Sequence, residues 1–191
     1  MDPDSNRLQQ LIHAARVQGL GDDPSLQAHC RSIIAAADSG KRHLTTQELQ
    51  LICAATGRSA QVAEQLQRRA HDLVDKARAI LLNEQPGLVQ EGGALHPAER
   101  AEACWRDCWQ FQRVIIYAYA CGRSCFTDPK GMAALRELYR LMNVPVVGLN
   151  IALRQLEILT LSDVSNAHDQ ALITAAFSHL RGELNKTAVK S

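Results

Sequence analysis

The stretch EACWRDCWQ, residues 102–110, concentrates side chains that can do chemistry. It holds two cysteines four residues apart, two tryptophans and an adjacent Arg-Asp pair. On a helix with about 100° per residue, Cys104, Asp107 and Cys108 share one face with Arg100. A carboxylate buried on such a face needs a cationic or hydrogen-bonding partner, because an unpaired buried charge is costly. The stretch is therefore a candidate binding site.

From these residues alone, several kinds of chemistry stay open. The spacings Cys104-x3-Cys108 and Cys121-x3-Cys125 are compatible with a metal or redox unit, although structural zinc sites usually use closer cysteines. A catalytic thiol needs a base, and His96 lies about two helical turns from Cys104, too far for direct contact along one helix. The plainest alternative is a core helix whose cysteines act as small hydrophobic residues. In a chain of this kind we expect reduced thiols.

The composition is that of an ordinary globular protein. The chain has 191 residues, of which 46% are hydrophobic and 21% charged, and its formal net charge is +1. A near-neutral chain gives no support to nucleic-acid or membrane-surface binding. Its longest apolar run falls far short of the roughly 20 residues of a membrane helix, and its N-terminus lacks a signal-peptide pattern. We therefore expect a cytoplasmic protein with no nucleic-acid partner and no membrane insertion.

Apolar residues recur at intervals of three and four along most of the chain, and strand-like alternation is missing. This periodicity predicts an all-α protein. The predicted helices cover residues 6–18, 25–39, 45–84, 97–122, 129–142, 146–161 and 165–185. Residues 45–48, TTQE, form a capping-box pattern at the start of one helix. Gly57 leaves open whether 45–84 is one bent helix or two, and the turn-rich stretch 19–24 marks off an N-terminal extension.

The stretch RAEACWRDCWQFQRVIIYAYACGR, residues 100–123, resembles the chromophore-bearing helix of the phycobiliproteins, a bilin-binding family related in fold to the globins. The matching positions, which run without a gap, are Cys104, Arg106, Asp107, Arg113, Tyr117 and Gly122. Three further stretches resemble family segments: SIIAAADSGKRHLTTQELQ, ARAILLNEQPGLVQEGG and GMAALRELYRLMNVP. The resemblance implies a globin-like phycobiliprotein helical bundle with an N-terminal helical hairpin. It divides the chain into a globin domain, residues 25–191, and an extra helical extension, residues 1–24.

The resemblance also implies a cofactor and the residues that hold it. Cys104 would form a thioether to ring A of one open-chain tetrapyrrole per chain, phycocyanobilin or a related bilin. Asp107 would accept hydrogen bonds from the central pyrrole nitrogens, while Arg106 and Arg100 would pair with the two propionates. Because the helical wheel points Arg106 away from Cys104, Arg100 has the easier geometry. Tyr117 matches a family aromatic and is either a pigment contact or a core residue.

Departures from the family pattern indicate a divergent, allophycocyanin-like member. Ala94 stands where antenna β-subunits carry an asparagine, and the loop 160–170 lacks the cysteine that holds a second pigment in some of them. Cys108, Cys121 and Cys125 are additional thiols. We therefore expect a light-absorbing chromoprotein and not an enzyme, either of a minor antenna type or photosensory. A globin-like interaction protein without permanent pigment and a cysteine-cluster metal or redox protein remain the alternatives.

The resemblance further implies partners and a location. The hairpin at residues 25–50 is the segment through which family members pair, so we expect a homodimer or a heterodimer with another phycobiliprotein-like chain. The added N-terminal helix is expected to lie beside this hairpin. A bilin lyase is the expected assembly partner. The location implied is the cytoplasm, at the periphery of the thylakoid membrane.

Overall fold

The computed structural model describes residues 3–186, with side chains from residue 6 onward. This part of the chain folds into eight α-helices and two short 3-10 helices, and it contains no strand beyond one isolated bridge. The α-helices are α1 (Pro3–Ala14), α2 (Ala28–Ser39), α3 (Thr46–Thr56), α4 (Ala60–Glu84), α5 (Ala98–Ala120), α6 (Pro129–Leu141), α7 (Val146–Ser162) and α8 (Ala167–Leu184). The all-α prediction is confirmed.

The helix boundaries follow from local capping chemistry. The capping box before α3 is present, with Glu48 N donating to Thr45 Oγ1 at 3.2 Å and Thr45 N to Glu48 Oε2 at 2.8 Å. Gly57 ends α3 with φ of 70°, a left-handed conformation that glycine adopts without steric cost. Ser59 then caps α4. The predicted segment 45–84 is therefore two helices and not one bent helix.

The core is built around the second half of α5. Residues 114–121 are buried on every side, which suits their continuous apolar character. Helix α4 packs against α5 and α7, while α8 packs against the same two helices from the other direction. The inward stripe of α4 has spacings of three and four residues and consists of Ala63, Leu66, Ala70, Leu73, Ala77 and Leu81.

The N-terminal extension takes a different course from the one expected. Helix α1 packs mainly on α6 instead of lying beside the hairpin. The chain after Ala14 is extended, although the periodicity predicted helix up to residue 18. Here Asp128 N donates to Val17 O at 2.9 Å, and Gly19 N donates to Phe126 O at 2.7 Å. Pairing with the segment before α6 satisfies backbone groups that a helix would otherwise satisfy internally.

The hairpin at residues 25–50 packs onto its own chain. Its inward apolar side chains, including Ile34, Ala37 and Leu44, are buried in the shared core. The side chain of Gln67 in α4 bonds both the N–H and the carbonyl of Leu44, each at 2.9 Å. Asp38 accepts a hydrogen bond from the guanidinium of α5 residue Arg113 at 2.8 Å. The hairpin is thereby fixed to α4 and α5.

None of the helices within residues 3–186 is long and apolar enough to span a membrane.

Candidate functional site

A cavity of about 340 Å³ opens beside the first half of α5. Helix α5 contributes Arg100, Cys104 and Asp107 to its wall, because spacings of four and three place them on one helical face. The rest of the lining is mostly apolar. It comprises Glu99 and Ala103 of α5, Leu95 and Pro97 before α5, and Met142, Val144 and Pro145 at the corner between α6 and α7. Three of the predicted site residues, Arg100, Cys104 and Asp107, therefore line one mostly apolar cavity.

Cys104 and Cys108 form a pair of buried thiols one helical turn apart. Their exposed fractions are 6% and 3%, and only Cys104 lines the cavity. A hydrogen bond from the Cys108 thiol lowers the pKa of Cys104, against the opposing effects of burial and of the Asp107 carboxylate. The same bond, with burial, raises the pKa of Cys108 well above its ordinary value. Since the thiolate is the reactive form, the cavity thiol is the better nucleophile of the two.

Asp107 is a largely buried carboxyl whose closest partner is a tyrosine. The Tyr139 hydroxyl in α6 donates to Asp107 Oδ2 at 2.6 Å. Burial raises the pKa of Asp107, while the Tyr139 hydrogen bond and the charges of Arg106 and Lys41 act in the opposite direction. The sequence predicted that a buried Asp107 requires a partner, but it did not indicate Tyr139, which lies 32 residues further along. The sequence signal for this contact was only that a buried carboxyl at position 107 requires a hydrogen-bonding or cationic partner.

The two predicted propionate partners occupy different positions. Arg100 is half-buried at the cavity, where its Nη2 donates to Met142 O at 3.3 Å. Arg106 is exposed and is not part of the cavity wall. This difference agrees with the helical wheel, which turned Arg106 away from Cys104. The structure therefore brings Arg100, Cys104 and Asp107 together and leaves Arg106 outside.

Tyr117 lies in the core, about three helical turns beyond Asp107. Its hydroxyl accepts a hydrogen bond from Arg113 Nη1 at 2.7 Å and donates to Arg42 O. Burial raises the pKa of this phenol. Tyr117 is not part of the cavity wall beside Cys104, so a pigment contact at this residue stays a prediction.

The two tryptophans of the stretch have packing partners. Trp109 stacks between His43 and His71, with ring centroids 5.3 Å from each. The guanidinium of Arg78 lies over the Trp105 ring, 5.5 Å from its centroid. Both indoles therefore support the helix from the side away from the cavity, whose wall contains neither of them.

The cysteine-cluster alternative finds no support in the geometry. Within residues 3–186, no group of three or more His, Cys, Asp or Glu side chains is arranged to hold a metal ion. The pair Cys104 and Cys108 lies near the start of α5, whereas Cys121 follows its last residue. At a rise of about 1.5 Å per residue, about 20–25 Å separate Cys121 from the pair. All six thiols are free, and Cys125 is the exposed one.

A family model described as phycobilisome protein matches residues 32–184. The match covers most of the chain, and its fold is the all-α, globin-like one described above. The chain belongs to the phycobilisome protein family. It is a divergent phycobiliprotein, because its identities to curated members are low. This is a family of pigment-binding proteins and not of enzymes.

Three relatives illustrate how far the sequence has diverged from other family members. The C-phycocyanin beta chain of Aglaothamnion neglectum is 28% identical over 133 residues, which cover 68% of this chain and 77% of that protein. The C-phycoerythrin beta chain of Pseudanabaena tenuis is 26% identical over 152 residues, or 80% and 82% of the two chains. The allophycocyanin alpha chain of a Synechocystis strain is 27% identical over 155 residues, or 80% and 96%. The similarity therefore includes both alpha and beta chains.

Proposed function

We propose that this protein is a light-absorbing chromoprotein that holds one open-chain tetrapyrrole, phycocyanobilin or a related bilin, through a thioether to Cys104. The observation that carries the proposal is the shared face of α5, which presents a thiol, a carboxyl and a guanidinium to one cavity whose remaining lining is apolar apart from Glu99. Its volume of about 340 Å³ falls within the ~300–1,000 Å³ typical of small-molecule sites. An elongated pigment would extend from it across Met142, which is 50% exposed.

Three residues of the cavity wall, Cys104, Asp107 and Arg100, have a chemical task in this proposal. When the Cys104 thiol adds across an exocyclic double bond of ring A, a carbon–sulfur bond forms and the proton goes to the neighbouring carbon, so nothing leaves. The Asp107 carboxylate would accept hydrogen bonds from the central pyrrole N–H groups and counter the charge of a protonated bilin. Arg100 would pair with one propionate, and the long Arg106 side chain would have to reach around to the other.

The covalent bond is tested by co-expression with a bilin-synthesis pathway and a bilin lyase. We expect wild-type protein that is coloured after denaturing electrophoresis, with zinc-enhanced fluorescence in the band. Cys104→Ala should lose the band, while the control Cys125→Ala, which changes an exposed thiol outside the site, should keep it. Uncoloured wild-type protein with several different lyases would contradict the proposal, and so would pigment retained in Cys104→Ala.

The biological use of the pigment is decided by a second measurement. Bilin double bonds can rotate after excitation, and a tightly packed site suppresses that rotation. A spectrum that is unchanged after illumination, together with strong fluorescence, supports light harvesting of a minor antenna type. A reversible change of absorption supports photosensing. Native material should be used, because one absorption and fluorescence spectrum also identifies the bilin.

The proposal includes a partner and a location. We propose that the chain pairs through residues 25–50 with itself or with another phycobiliprotein-like chain, and that a bilin lyase loads it. Support comes from the outward face of α2, where Ser32 and Ala36 are exposed one turn apart and present small side chains. The proposed location is the cytoplasm, at the periphery of the thylakoid membrane. The division into an extension 1–24 and a globin domain 25–191 is part of the same proposal.

A further inference from the structure

The non-helical residues 15–19, here called the N-terminal link, run across the start of α6. The carbonyl of Arg16 lies so close to Gly131 that a Cβ added there would stand 2.8 Å from the Arg16 carbonyl carbon, and closer still to its oxygen. Real Cβ atoms do not come this close to backbone atoms, so a side chain at position 131 would force the link away. Gly131 thus permits the crossing.

Polar contacts hold the link at both sides of this crossing. The Arg16 guanidinium pairs with Asp22 and Asp128, each at 2.9 Å. Gln18, which is 3% exposed, donates from Nε2 to Asp38 Oδ2 at 2.9 Å. With the two backbone bonds to the segment before α6, these contacts give the link a single defined path.

The link also forms part of a second cavity, of about 180 Å³. Its residues Ala15, Arg16 and Val17 contribute to the lining of this cavity, and so do Asp107 and Tyr139. Asp107 therefore lies between two spaces, the cavity that Cys104 lines and the one that the link lines. Tyr139 is only 5% exposed in this arrangement, and α1 packs on the helix that carries it.

We propose that the N-terminal link is a wall of the chromophore site, which shields the Asp107 carboxyl and the Tyr139 hydroxyl from bulk water and so sets the surroundings of the pigment. The family match begins at residue 32, so this wall comes from a part of the chain outside the match. The shielding is a property of the protein alone, whereas its effect on the pigment rests on the proposed function.

The effect on the pigment has a physical cause. A carboxylate that loses hydration interacts more strongly with a nearby cation, because the effective dielectric constant around it is lower. Water admitted behind Asp107 would weaken that interaction and loosen the Tyr139 hydrogen bond. A pigment held by Asp107 would then absorb at a shifted and broader band and would fluoresce less.

The shielding is tested on the full-length unpigmented protein by tyrosine nitration with tetranitromethane, followed by peptide mass spectrometry. Gly131→Ala should raise the nitration of Tyr139 severalfold. Gly148→Ala, a second helical Gly-to-Ala change whose added Cβ meets no atom within 4 Å, should leave it unchanged. Tyr117 and Tyr119 are 0% exposed and serve as internal controls in every sample.

A second variant covers the case in which Gly131→Ala does not fold. Arg16→Glu places a negative charge beside two aspartates and should release the link without crowding, with Arg68→Glu on the exposed face of α4 as its control. Tyr139 nitration that stays at the wild-type level in both link variants would overturn the shielding. A parallel rise at Tyr117 and Tyr119 would also overturn it, since it would show general loosening.

The pigment effect is measured on the same variants after co-expression with bilin synthesis. We expect a shifted, broadened band and a lower fluorescence yield in Gly131→Ala and Arg16→Glu, but not in their controls. Spectra that superimpose on those of the controls would refute the role of the link in the pigment site while leaving pigment binding intact. Wild-type protein that never takes up pigment counts against the proposed function alone, because nitration still decides the shielding.

Discussion

Asp107 combines a functional position with a cost to stability. Its carboxyl is largely buried and meets a neutral donor, the Tyr139 hydroxyl, while Arg106 remains exposed. Burial is the main reason that its pKa is raised. In the unpigmented protein this carboxyl therefore lacks the close cation that a buried carboxylate requires, and a cationic ligand would remove the deficit.

The first prediction concerns the pH dependence of this cost. Because the folded pKa of Asp107 lies above the unfolded one, the folded protein binds more protons between those two values, and its stability falls as the pH rises through that interval. Asp107→Asn keeps an acceptor for Tyr139 without the charge. Near pH 7 we expect this variant, without pigment, to gain about 0.5–2 kcal/mol in free energy of unfolding.

Urea denaturation at several pH values measures this gain. It should disappear at about pH 3 and below, where an ordinary carboxyl is largely protonated in both states. Asp75→Asn, at an exposed position of α4, is the control and should change stability by less than about 0.5 kcal/mol. A gain that is the same at all pH values would show that ionisation of Asp107 is not its cause.

The second prediction concerns the reactivity of Cys104. Cys108→Ala removes the thiol donor that lowers the pKa of Cys104, so alkylation of Cys104 by iodoacetamide should require a higher pH. Cys108→Ser keeps a donor of similar size and should preserve most of the wild-type pH profile. Tandem mass spectrometry after timed alkylation follows Cys104 by itself. Identical profiles in the two variants would show that the donor at position 108 has no effect.

At the scale of elements, α5 serves two environments in succession. Its first half carries the site and borders the cavity, while residues 114–121 are enclosed by the core. Such a division gives the site a rigid base, because the buried half is held by α4, α7 and α8. The contact between the hairpin and α4 is equally specific, since one buried glutamine, Gln67, satisfies both backbone groups of Leu44.

The third prediction tests that glutamine. Gln67→Leu leaves the N–H and the carbonyl of Leu44 buried without their side-chain partner, so we expect a loss of about 1–3 kcal/mol in free energy of unfolding. Gln61→Leu, one and a half turns earlier on the exposed side of α4, is the matched control, with an expected change under about 0.5 kcal/mol. Equal urea midpoints for the two variants would contradict this assignment.

At the scale of the whole molecule, the hairpin is both a core element and the proposed pairing surface. Its inward face is buried on its own chain, and Asp38 joins it to the link through Gln18 and to α5 through Arg113. The outward face of α2 remains accessible to a partner, as do Gln47 and Gln50 of α3. Pairing through residues 25–50 is expected to use the α2 face, where Ser32 and Ala36 present small side chains.

The fourth prediction addresses this pairing. Ala36→Arg introduces a long charged side chain on the exposed face of α2 and should weaken self-association or pairing by at least about tenfold in dissociation constant, since a charge opposite a close-packed surface must be desolvated. Ala175→Arg makes the same change on the exposed face of α8 and should have no effect. Sedimentation equilibrium over a range of concentrations measures both. A dimer unaffected by Ala36→Arg would exclude the outward face of α2.

Much of the fold was accessible from the sequence, because helix formation depends on near neighbours. Apolar periodicity predicted seven helical segments that together overlap with all eight α-helices, since the segment 45–84 holds both α3 and α4, and the residues of the capping box fixed the start of α3. The same periodicity placed Arg100, Cys104 and Asp107 on one face, and the cavity wall contains all three. It failed at residues 15–18, where pairing with the segment before α6 replaces helical bonds.

The sequence by itself thus determined the helices, the face of α5 that carries the thiol and the carboxyl, and the resemblance to a bilin-binding family. Only the tertiary structure decided that Tyr139 is the partner of Asp107, that Tyr117 lies in the core, and that the link borders a second cavity. The physical reason is range. Periodicity and capping join residues a few positions apart, whereas Tyr139 reaches Asp107, 32 residues earlier in the chain, only because the tertiary fold brings the two side chains within hydrogen-bonding distance.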